Sequence, residues 1–322
     1  MSQSQFVSKC TVDALSVAAQ SLMAGHLVAF PTETVYGLGA NATGKAAVAK
    51  IYAAKARPTD HPLIVHIHSM QAMGDWAEDI PAYAIALARD FWPGPMTLVL
   101  KRSPLAQDFI TGGQDSVAVR VPDHVVALAL LEAFNAVGGK GVVAPSANRF
   151  GHVSPTTAQA VSDELSSYLS ADDQILDGGP CAVGVESTII DCTGSSPKIL
   201  RPGAITAQMI TESTGLEVSE NIDSQIRVSG SLEKHYAPNA KIILDAQASK
   251  GQGFIALADI ATPPGAVRLA SPANTDEYAQ TLYTALRKGD ALALATIAII
   301  PPRGDGLAVA IRDRLIRASN GR

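Results

Sequence analysis

The chain lacks the features that mark secreted, membrane-spanning and metal-stapled proteins. Its three cysteines, Cys10, Cys181 and Cys192, have neither the paired spacing of a zinc site nor the even number of a disulfide set, so we expect reduced packing residues. The longest apolar runs, such as 291–300, are about half as long as a membrane span. The N-terminal residues have neither the basic start nor the apolar core of a signal peptide. Together these absences predict a cytoplasmic protein.

Charged residues are also scarce, at 17% of the chain, whereas hydrophobic residues make up 47%. Residues 1–217 hold 13 basic and 20 acidic side chains and residues 218–322 hold 12 and 10, so neither part is strongly basic. Passive nucleic-acid binding usually depends on an extended cationic surface. The composition therefore counts against RNA binding as the main activity, although it does not exclude a local basic crevice.

What the chain does contain is a long alternation of helical and strand patterns. Its 322 residues exceed the usual size of a single core, so two domains are expected. In the first part, helices are predicted at 12–24 after the N-cap Thr11, at 45–56, and from the N-cap Ser154 onward. Strands are predicted at 27–30, 63–67, 96–100, 117–121, 141–144, 174–176, 187–191 and 198–200. Because helices alternate with some strands but not all, we predict an α/β fold with a mixed sheet.

A polar stretch without periodicity, 213–231, leads to the motif His235-Tyr-Ala-Pro238 and to a second part of the chain. There, strands are predicted at 241–245, 254–258, 267–270 and 297–300, and helices at 275–287 and 307–318. Regular alternation of this kind is typical of a parallel α/β domain. We therefore predict a first domain at 1–212, a linker at 213–238 and a second, smaller domain at 239–322.

Polar and cationic residues follow the first predicted strand directly. Segment 30–40 reads Phe-Pro-Thr-Glu-Thr-Val-Tyr-Gly-Leu-Gly-Ala, and segment 55–63 reads Lys-Ala-Arg-Pro-Thr-Asp-His-Pro-Leu. In open α/β sheets, ligands bind beyond the carboxyl ends of the strands. Lys55 and Arg57 precede Pro58, and a residue before proline is driven toward extended backbone. Both cations are therefore predicted on a loop, either facing a ligand or as ordinary solvated charges.

Two strands carry a polar residue on the face opposite to their apolar residues. Alternation places Arg120 in 117–121 and His66 in 63–67 on such a face. An arginine inside a strand is either an anion clamp or an edge residue. Zinc binding is not predicted, because the histidines at 61, 66 and 68 have no further ligands at metal spacing.

Other segments predict a site that orients anions. Ser146 and Asn148 follow a strand, and the predicted helix start at Ser154 could hold phosphate, with plain capping as the alternative. Segment 39–46 nearly matches a P-loop, but Ala46 replaces the required hydroxyl, and a turn before an exposed helix is the alternative. No Ser-His-Asp order or pair of carboxylates is evident. The pattern favours phosphoryl or nucleotidyl transfer, in which orienting anions supplies most of the catalysis.

The combined motifs resemble the Sua5/YciO/YrdC family. The segments that carry the resemblance are 30–40, 55–67, 91–97, 117–122, 144–148, 184–191 and 201–203. The motif at 235–238 and segment 306–315 resemble the C-terminal domain of the two-domain Sua5 type. The resemblance implies a twisted, open, YrdC-like mixed sheet followed by a smaller Rossmann-like parallel α/β domain.

The resemblance also implies an activity. Family members of this type are nucleotidyltransferases that make L-threonylcarbamoyladenylate from L-threonine, bicarbonate and ATP, releasing pyrophosphate, for the t6A modification of tRNA. The implied partners are these substrates, a downstream threonylcarbamoyl transferase and, as an open question, tRNA itself. Mg²⁺ is expected mainly on the ATP phosphates.

Site residues follow from the matching positions. The implied threonine contacts are Thr34, His66, Arg120 and Ser187. The implied ATP contacts are Lys55, Arg57, His61, Ser116, Ser146, Asn148, Ser154, Arg201 and Tyr236, with Lys55 and Arg57 catalytic and Tyr236 closing over the pocket. Two points stay open: His61 stands where the family often has asparagine, and either Ser187 or Thr188 faces the pocket, because strand alternation admits only one.

Two other functions remain as alternatives. A non-catalytic protein that binds double-stranded RNA or tRNA could use the same crevice for backbone phosphates. A P-loop-type NTPase would instead depend on Lys45, the lysine of segment 39–46.

Overall fold

The structure, a computed structural model, describes residues 6–219, 226–230 and 235–321. Its strands are β1 Val7–Lys9, β2 Val28–Phe30, β3 Gly37–Asn41, β4 Ile64–His66, β5 Met96–Lys101, β6 Ser116–Arg120, β7 Val142–Val143, β8 Gln174–Asp177, β9 Thr188–Asp191, β10 Lys198–Arg201, β11 Lys241–Leu244, β12 Gly253–Ile255, β13 Val267–Ala270 and β14 Thr296–Ile299. Its helices are α1 Val12–Met23, α2 Lys45–Lys55, α3 Met73–Trp76, α4 Ala82–Phe91, α5 Asp108–Thr111, α6 Val125–Ala136, α7 Ala158–Leu165, α8 Ala207–Thr214, α9 Thr275–Ala291 and α10 Leu307–Ser319. None of the described helices combines the length and apolar character needed to cross a membrane.

Within the described ranges, the strands form two sheets. The first has ten strands in the order β1-β8-β2-β3-β7-β4-β6-β5-β9-β10 and mixes parallel with antiparallel pairs. The second has four strands in the order β11-β14-β12-β13, and all its pairs are parallel. The predicted mixed sheet and the smaller parallel α/β unit are therefore confirmed. The exact domain boundaries stay a prediction, and residues 220–225 and 231–234 of the predicted linker lie outside the described residues.

Local sequence explains several elements. Helix α1 begins after Thr11, whose hydroxyl accepts a hydrogen bond from the Ala14 amide at 3.1 Å, and Gly25 follows its end with a φ of 82°. The N-cap is the one that the sequence predicts, and a glycine in the left-handed region just past the last turn is a common helix end. Strand β2 is buried on both faces, because Ala29 packs in the largest apolar cluster and Phe30 packs in the cluster of α1 and α6.

The helix predicted to begin after Ser154 is displaced. Helix α7 begins at Ala158, and its N-cap is Thr157, whose hydroxyl accepts from the Ala160 amide at 3.2 Å. The predicted cap was wrong because the Ser154 hydroxyl has a different partner, the carboxylate of Glu186 at 2.7 Å. Helix α7 therefore does not present its N-terminus as a phosphate site built on Ser154.

Candidate active site

A cavity opens where strands of the ten-stranded sheet end. It has an empty volume of about 550 Å³ that includes space open to solvent. Its wall is formed by the turn after β2, the start of β3, the loop after α2, strands β4, β6 and β10, the residues after β7 and before β9, and the segments around 230 and 236. Its lining residues are Thr32, Thr34, Val35, Gly37, Arg57, Ile64, His66, Arg120, Ala144, Pro145, Ser146, Glu186, Ser187, Arg201, Ser229, Gly230, His235 and Tyr236.

Many residues predicted from the sequence meet in this cavity. Those in its lining are Thr34, Arg57, His66, Arg120, Ser146, Ser187, Arg201 and Tyr236. The remaining predicted residues, Lys55, His61, Ser116, Asn148 and Ser154, are not part of the lining. Ser116 lines a small neighbouring pocket, and His61 packs edge-on against Phe150 with ring centroids 5.3 Å apart. Their assigned contacts with ATP stay predictions.

Arg120 projects from β6 into one end of the cavity, as the strand alternation predicts. Its valine neighbours pack in the core, while its guanidinium lies 2.7 Å from Glu33 Oε1 and donates to Thr34 Oγ1 at 3.0 Å. Both Arg120 and Glu33 are buried. The guanidinium is therefore held in place by a buried carboxylate before any ligand arrives.

His66 lies beside Arg120 on the adjacent parallel strand. Burial, and secondarily the positive charge of Arg120, lowers the pKa of His66 to about 3. The imidazole is therefore neutral near neutral pH, so it offers a hydrogen bond but no charge.

Arg57 and Arg201 form a second cationic group. Arg57 Nη2 donates to the Pro62 carbonyl at 3.0 Å and to Ser229 Oγ at 3.3 Å, and Arg201 Nη1 donates to the Ser229 carbonyl at 2.8 Å. The two arginines are 7% and 4% exposed. The alternative that Arg57 is an ordinary solvated charge is therefore wrong, and Ser229 bridges both cations.

Lys55 was predicted on a loop, but it is the last residue of α2 and is almost completely buried. Its ammonium donates to the carbonyls of Ser146 and Asn148, at 2.6 and 2.5 Å. Burial, followed by the charge of Arg57, lowers the pKa of Lys55 well below its ordinary value. In this structure Lys55 fixes the loop that carries Ser146 rather than facing the cavity itself.

The choice between Ser187 and Thr188 is resolved by their partners. Ser187 lines the cavity, and its hydroxyl accepts from Arg201 Nη2 at 3.0 Å. The Thr188 hydroxyl instead donates to the Ile205 carbonyl at 2.8 Å and accepts from the Ile205 amide at 3.0 Å. Thr188 therefore ties two backbone segments together, and Ser187 is the one of the two that lies in the cavity wall, where its hydroxyl also pairs with Thr97 Oγ1 at 2.8 Å.

Sequence reasoning missed three cavity features. Glu186 lines the cavity, Glu33 holds Arg120, and Ser229 bridges the second cationic group. The first two lie inside motifs that the sequence singled out, but their partners are far away along the chain. Ser229 gave no signal, because it lies in a polar stretch predicted to be linker.

The P-loop-like segment does not take part in the cavity. Residues 39–41 lie within β3, and Lys45 is the exposed first residue of α2. The alternative is confirmed for the turn at 42–43 and for the exposed Lys45, but it is wrong for the helix as a whole, because one face of α2 packs in the apolar core. In the described ranges, no group of three or more histidine, cysteine, aspartate or glutamate side chains could hold a metal ion.

Known proteins resemble this chain over almost its full length. A family model described as telomere recombination, of the Sua5, YciO and YrdC proteins, matches residues 20–203. A model described as the C-terminal domain of threonylcarbamoyl-AMP synthase matches residues 205–320. Together the two matched ranges run through both sheets.

Individual relatives agree with the family models. Threonylcarbamoyl-AMP synthase from Pyrococcus abyssi is 38% identical over 329 residues, which cover 96% of this chain and 94% of that protein. The enzyme of the same name from Bacillus subtilis is 37% identical over 330 residues, with 96% and 93% covered. The crystal structure of P. abyssi Sua5 complexed with L-threonine matches with a TM-score of 0.87 and 36% identity, covering 98% of this chain and 97% of that one.

Proposed function

The chain belongs to the Sua5/YciO/YrdC family, and we propose that it is a threonylcarbamoyl-AMP synthase. This enzyme makes L-threonylcarbamoyladenylate from L-threonine, bicarbonate and ATP and releases pyrophosphate. The observation that carries the proposal is one cavity with three buried arginines, Arg57, Arg120 and Arg201, in a chain that matches such synthases over nearly its whole length.

Threonine occupies the end of the cavity near Arg120. The guanidinium, already oriented by Glu33, takes the substrate carboxylate as a charge-assisted pair. Thr34 and Ser187 offer hydroxyls, and neutral His66 offers an uncharged hydrogen-bonding group. A neutral imidazole beside the site leaves the positive charge of Arg120 as the main attraction for the carboxylate.

ATP occupies the part of the cavity near Arg57 and Arg201. Their guanidinium groups supply fixed positive charge for the phosphates, and Ser146 adds a hydroxyl at the end of the loop that Lys55 holds. Since Ser229 occupies donors of both arginines, phosphates that use those donors must displace it. Tyr236, whose hydroxyl has no hydrogen-bond partner among the described residues, closes this part of the cavity.

The reaction needs orientation more than a side-chain nucleophile. The threonine amine takes up CO₂ derived from bicarbonate to give a carbamate, whose oxygen attacks the α-phosphorus of ATP while pyrophosphate leaves. Arg57 and Arg201 stabilise the negative charge that spreads over the phosphates. A magnesium ion would take its ligands mainly from those phosphates, since the described residues provide no cluster for it, and it would add further charge stabilisation.

The product supplies the t6A modification of tRNA. Because a mixed anhydride of a carbamate and a phosphate is readily hydrolysed, the reaction that consumes it has to transfer the threonylcarbamoyl group to tRNA soon after release. In this proposal a separate transferase carries out that step. Direct binding of tRNA by this protein is a further part of the proposal.

Substrate-dependent release of pyrophosphate tests the proposal. We expect release from ATP only when threonine and bicarbonate are both present, together with a product that contains labelled carbon from bicarbonate. The Lys45→Ala variant, changed at an exposed site outside the cavity, should behave as the unchanged protein does. No turnover together with salt-sensitive binding of double-stranded RNA would instead support the RNA-binding alternative.

A further inference from the structure

A buried carboxylate in the cavity wall is held by the second sheet unit. Glu186, in the lining of the cavity, accepts hydrogen bonds from Arg314 Nε at 2.8 Å and from the Tyr283 hydroxyl at 2.9 Å. Arg314 lies on α10 and Tyr283 on α9, the helices that pack with the four-stranded sheet. The Ser154 hydroxyl also donates to Glu186, at 2.7 Å.

This cluster is shielded from solvent. Arg314 and Tyr283 are each 1% exposed and Glu186 is 6% exposed. Burial alone favours a neutral Glu186, but the positive charges of Arg314 and Arg201 and the hydrogen bonds from Arg314 and Ser154 together outweigh it and lower the pKa of Glu186 to about 2. The group is therefore a carboxylate at neutral pH, and its orientation is fixed by three donors.

The same two residues also support Tyr236. The Tyr283 ring stacks on the Tyr236 ring with centroids 6.0 Å apart and an interplanar angle of 22°. The Arg314 guanidinium lies over the Tyr236 ring, 5.6 Å from its centroid. Arg314 and Tyr283 therefore each contact two residues of the cavity wall, although neither belongs to the wall itself.

Glu186 and Tyr236 lie on the ATP side of the cavity. Arg201, which the proposed function places at the ATP phosphates, donates from Nε to the carbonyl of Ser187, the residue after Glu186, at 3.0 Å. A Cβ atom on Gly230 would lie 2.2 Å from the Tyr236 hydroxyl and 3.1 Å from Arg201 Nη1, so these two groups are close neighbours.

We propose that Arg314 and Tyr283 are positioning residues for ATP, which the second sheet unit contributes to the site by holding Glu186 and Tyr236 in the cavity wall. The inference rests on the proposed function, because it concerns the affinity for one of that reaction's substrates. It assigns to α9 and α10 a role in ATP binding and none in threonine binding.

The test compares two arginines of one helix. Arg314→Met removes the buried contact, and Arg312→Met is the matched control, because Arg312 is about half exposed and pairs with Asp245. Equilibrium dissociation constants for ATP and for threonine are measured separately on the full chain, with KM values for both. We expect Arg314→Met to weaken ATP binding about tenfold, the loss of one hydrogen bond to a charged group. The dissociation constant of Arg314→Met for threonine should stay within about twofold of the wild-type value. The same holds for the dissociation constants of Arg312→Met for ATP and for threonine.

Two more variants separate positioning from simple structural support. Tyr283→Phe removes one hydroxyl and should weaken ATP binding about threefold. If Arg314→Met does not fold, the ATP affinity of Tyr283→Phe decides the test instead. The double variant Glu186→Gln/Arg314→Met no longer buries an unpaired charge and should regain thermal stability, but not ATP affinity.

Three results would overturn the inference: unchanged ATP affinity in the folded variants, equal losses for ATP and threonine, or ATP affinity restored by the double variant. A wild-type protein that binds ATP but makes no threonylcarbamoyladenylate would contradict the proposed function and leave this inference standing.

Discussion

The two sheet units differ in where they keep buried charge. The ten-stranded unit buries Glu33, Lys55, Arg57, Arg120 and Arg201 at or directly behind its cavity. Among the described residues beyond 238, the buried charged side chain is Arg314, and it reaches back to Glu186 of the first unit. Burying these charges around the cavity lowers the stability of the first unit. The second unit has a mainly apolar core, and its buried arginine contacts the first unit.

Among substitutions of these buried charges, the largest effect on substrate binding is expected at Arg120. Arg120→Ala removes the proposed charged partner of the threonine carboxylate and should raise the threonine KM about 100-fold, with an ATP KM within about threefold of the wild type. Steady-state kinetics with each substrate varied in turn measures both constants. Arg102→Ala, which removes a partly exposed arginine paired with Asp108, is the control.

Because Arg120→Ala also leaves Glu33 buried without its partner, its folding has to be checked by circular dichroism. Arg120→Lys keeps the positive charge but loses the planar guanidinium, so its threonine KM should lie between those of the wild type and of Arg120→Ala. A threonine KM unchanged in both variants would contradict the assignment.

A smaller effect, on the other substrate, is expected at Arg57. Arg57→Ala should raise the ATP KM about 30-fold, because one of the two buried cations proposed to hold the phosphates is lost. Lys45→Ala should leave it unchanged, since Lys45 is exposed outside the cavity. The opposite pattern, with Lys45 essential and Arg57 dispensable, would restore the P-loop alternative.

Two neighbouring residues at the start of β9 should differ in their effect on threonine binding. Ser187→Ala removes a hydroxyl in the cavity and should raise the threonine KM about fivefold. Because that buried hydroxyl also pairs with Thr97 Oγ1 and Arg201 Nη2, the free energy of unfolding should fall by about 1 kcal/mol as well. Thr188→Ala removes the link to Ile205 and should lower the free energy of unfolding by about 1 kcal/mol, with an unchanged threonine KM. Urea unfolding and threonine titration of both variants would expose a reversed assignment.

Mild acid should destabilise the ten-stranded sheet, which holds His66 in β4, and the segment of His235, whose amide bonds to α10. Burial lowers the pKa of both His66 and His235 to about 3, from an ordinary 6.5. The unfolded chain therefore binds more protons than the folded one between these values. The stability that the neutral histidines contribute is complete above pH 6.5 and is lost as the pH falls toward 3, at about 1 kcal/mol per pH unit for each.

Hydrogen exchange at pH 7 and pH 5 measures this difference, because the chain has no histidine beyond residue 235. Amides of the first sheet should lose more protection than those of the second. The loss should be smaller in His66→Gln than in His68→Gln, the control at a partly exposed position. Equal losses in both sheets would contradict the expectation.

Local signals predicted most of the strands but not every element. The strand pattern at 117–121 gave the correct orientation of Arg120, because alternation alone decides which face a side chain takes. Strand β3 was missed because its glycines suggest a loop. A Cβ on Gly39 would lie 2.8 Å from the Phe30 ring and 2.9 Å from Val142, so glycine is required there by packing that the sequence does not reveal.

Contacts over long separations account for what the sequence did not predict. The carboxylate partner of Ser154 shifted the start of α7, and Arg314 meets Glu186 across 128 residues of chain. No pattern of period 2 or 3.6 carries information about such pairs. The sequence therefore identified the candidate cations. It could not predict that Lys55 holds a loop or that Ser229 bridges Arg57 and Arg201.

The position of β1 has a consequence for how the chain is made. This strand pairs in parallel with β8, so Val7 has to wait for Ile175 to be synthesised before it finds its neighbour. Until then the backbone N–H and C=O groups of β1 lack their strand partner while the chain is still on the ribosome, where chaperones act on nascent chains. Slow translation of the first half should therefore prolong a vulnerable period that refolding of the finished chain does not have.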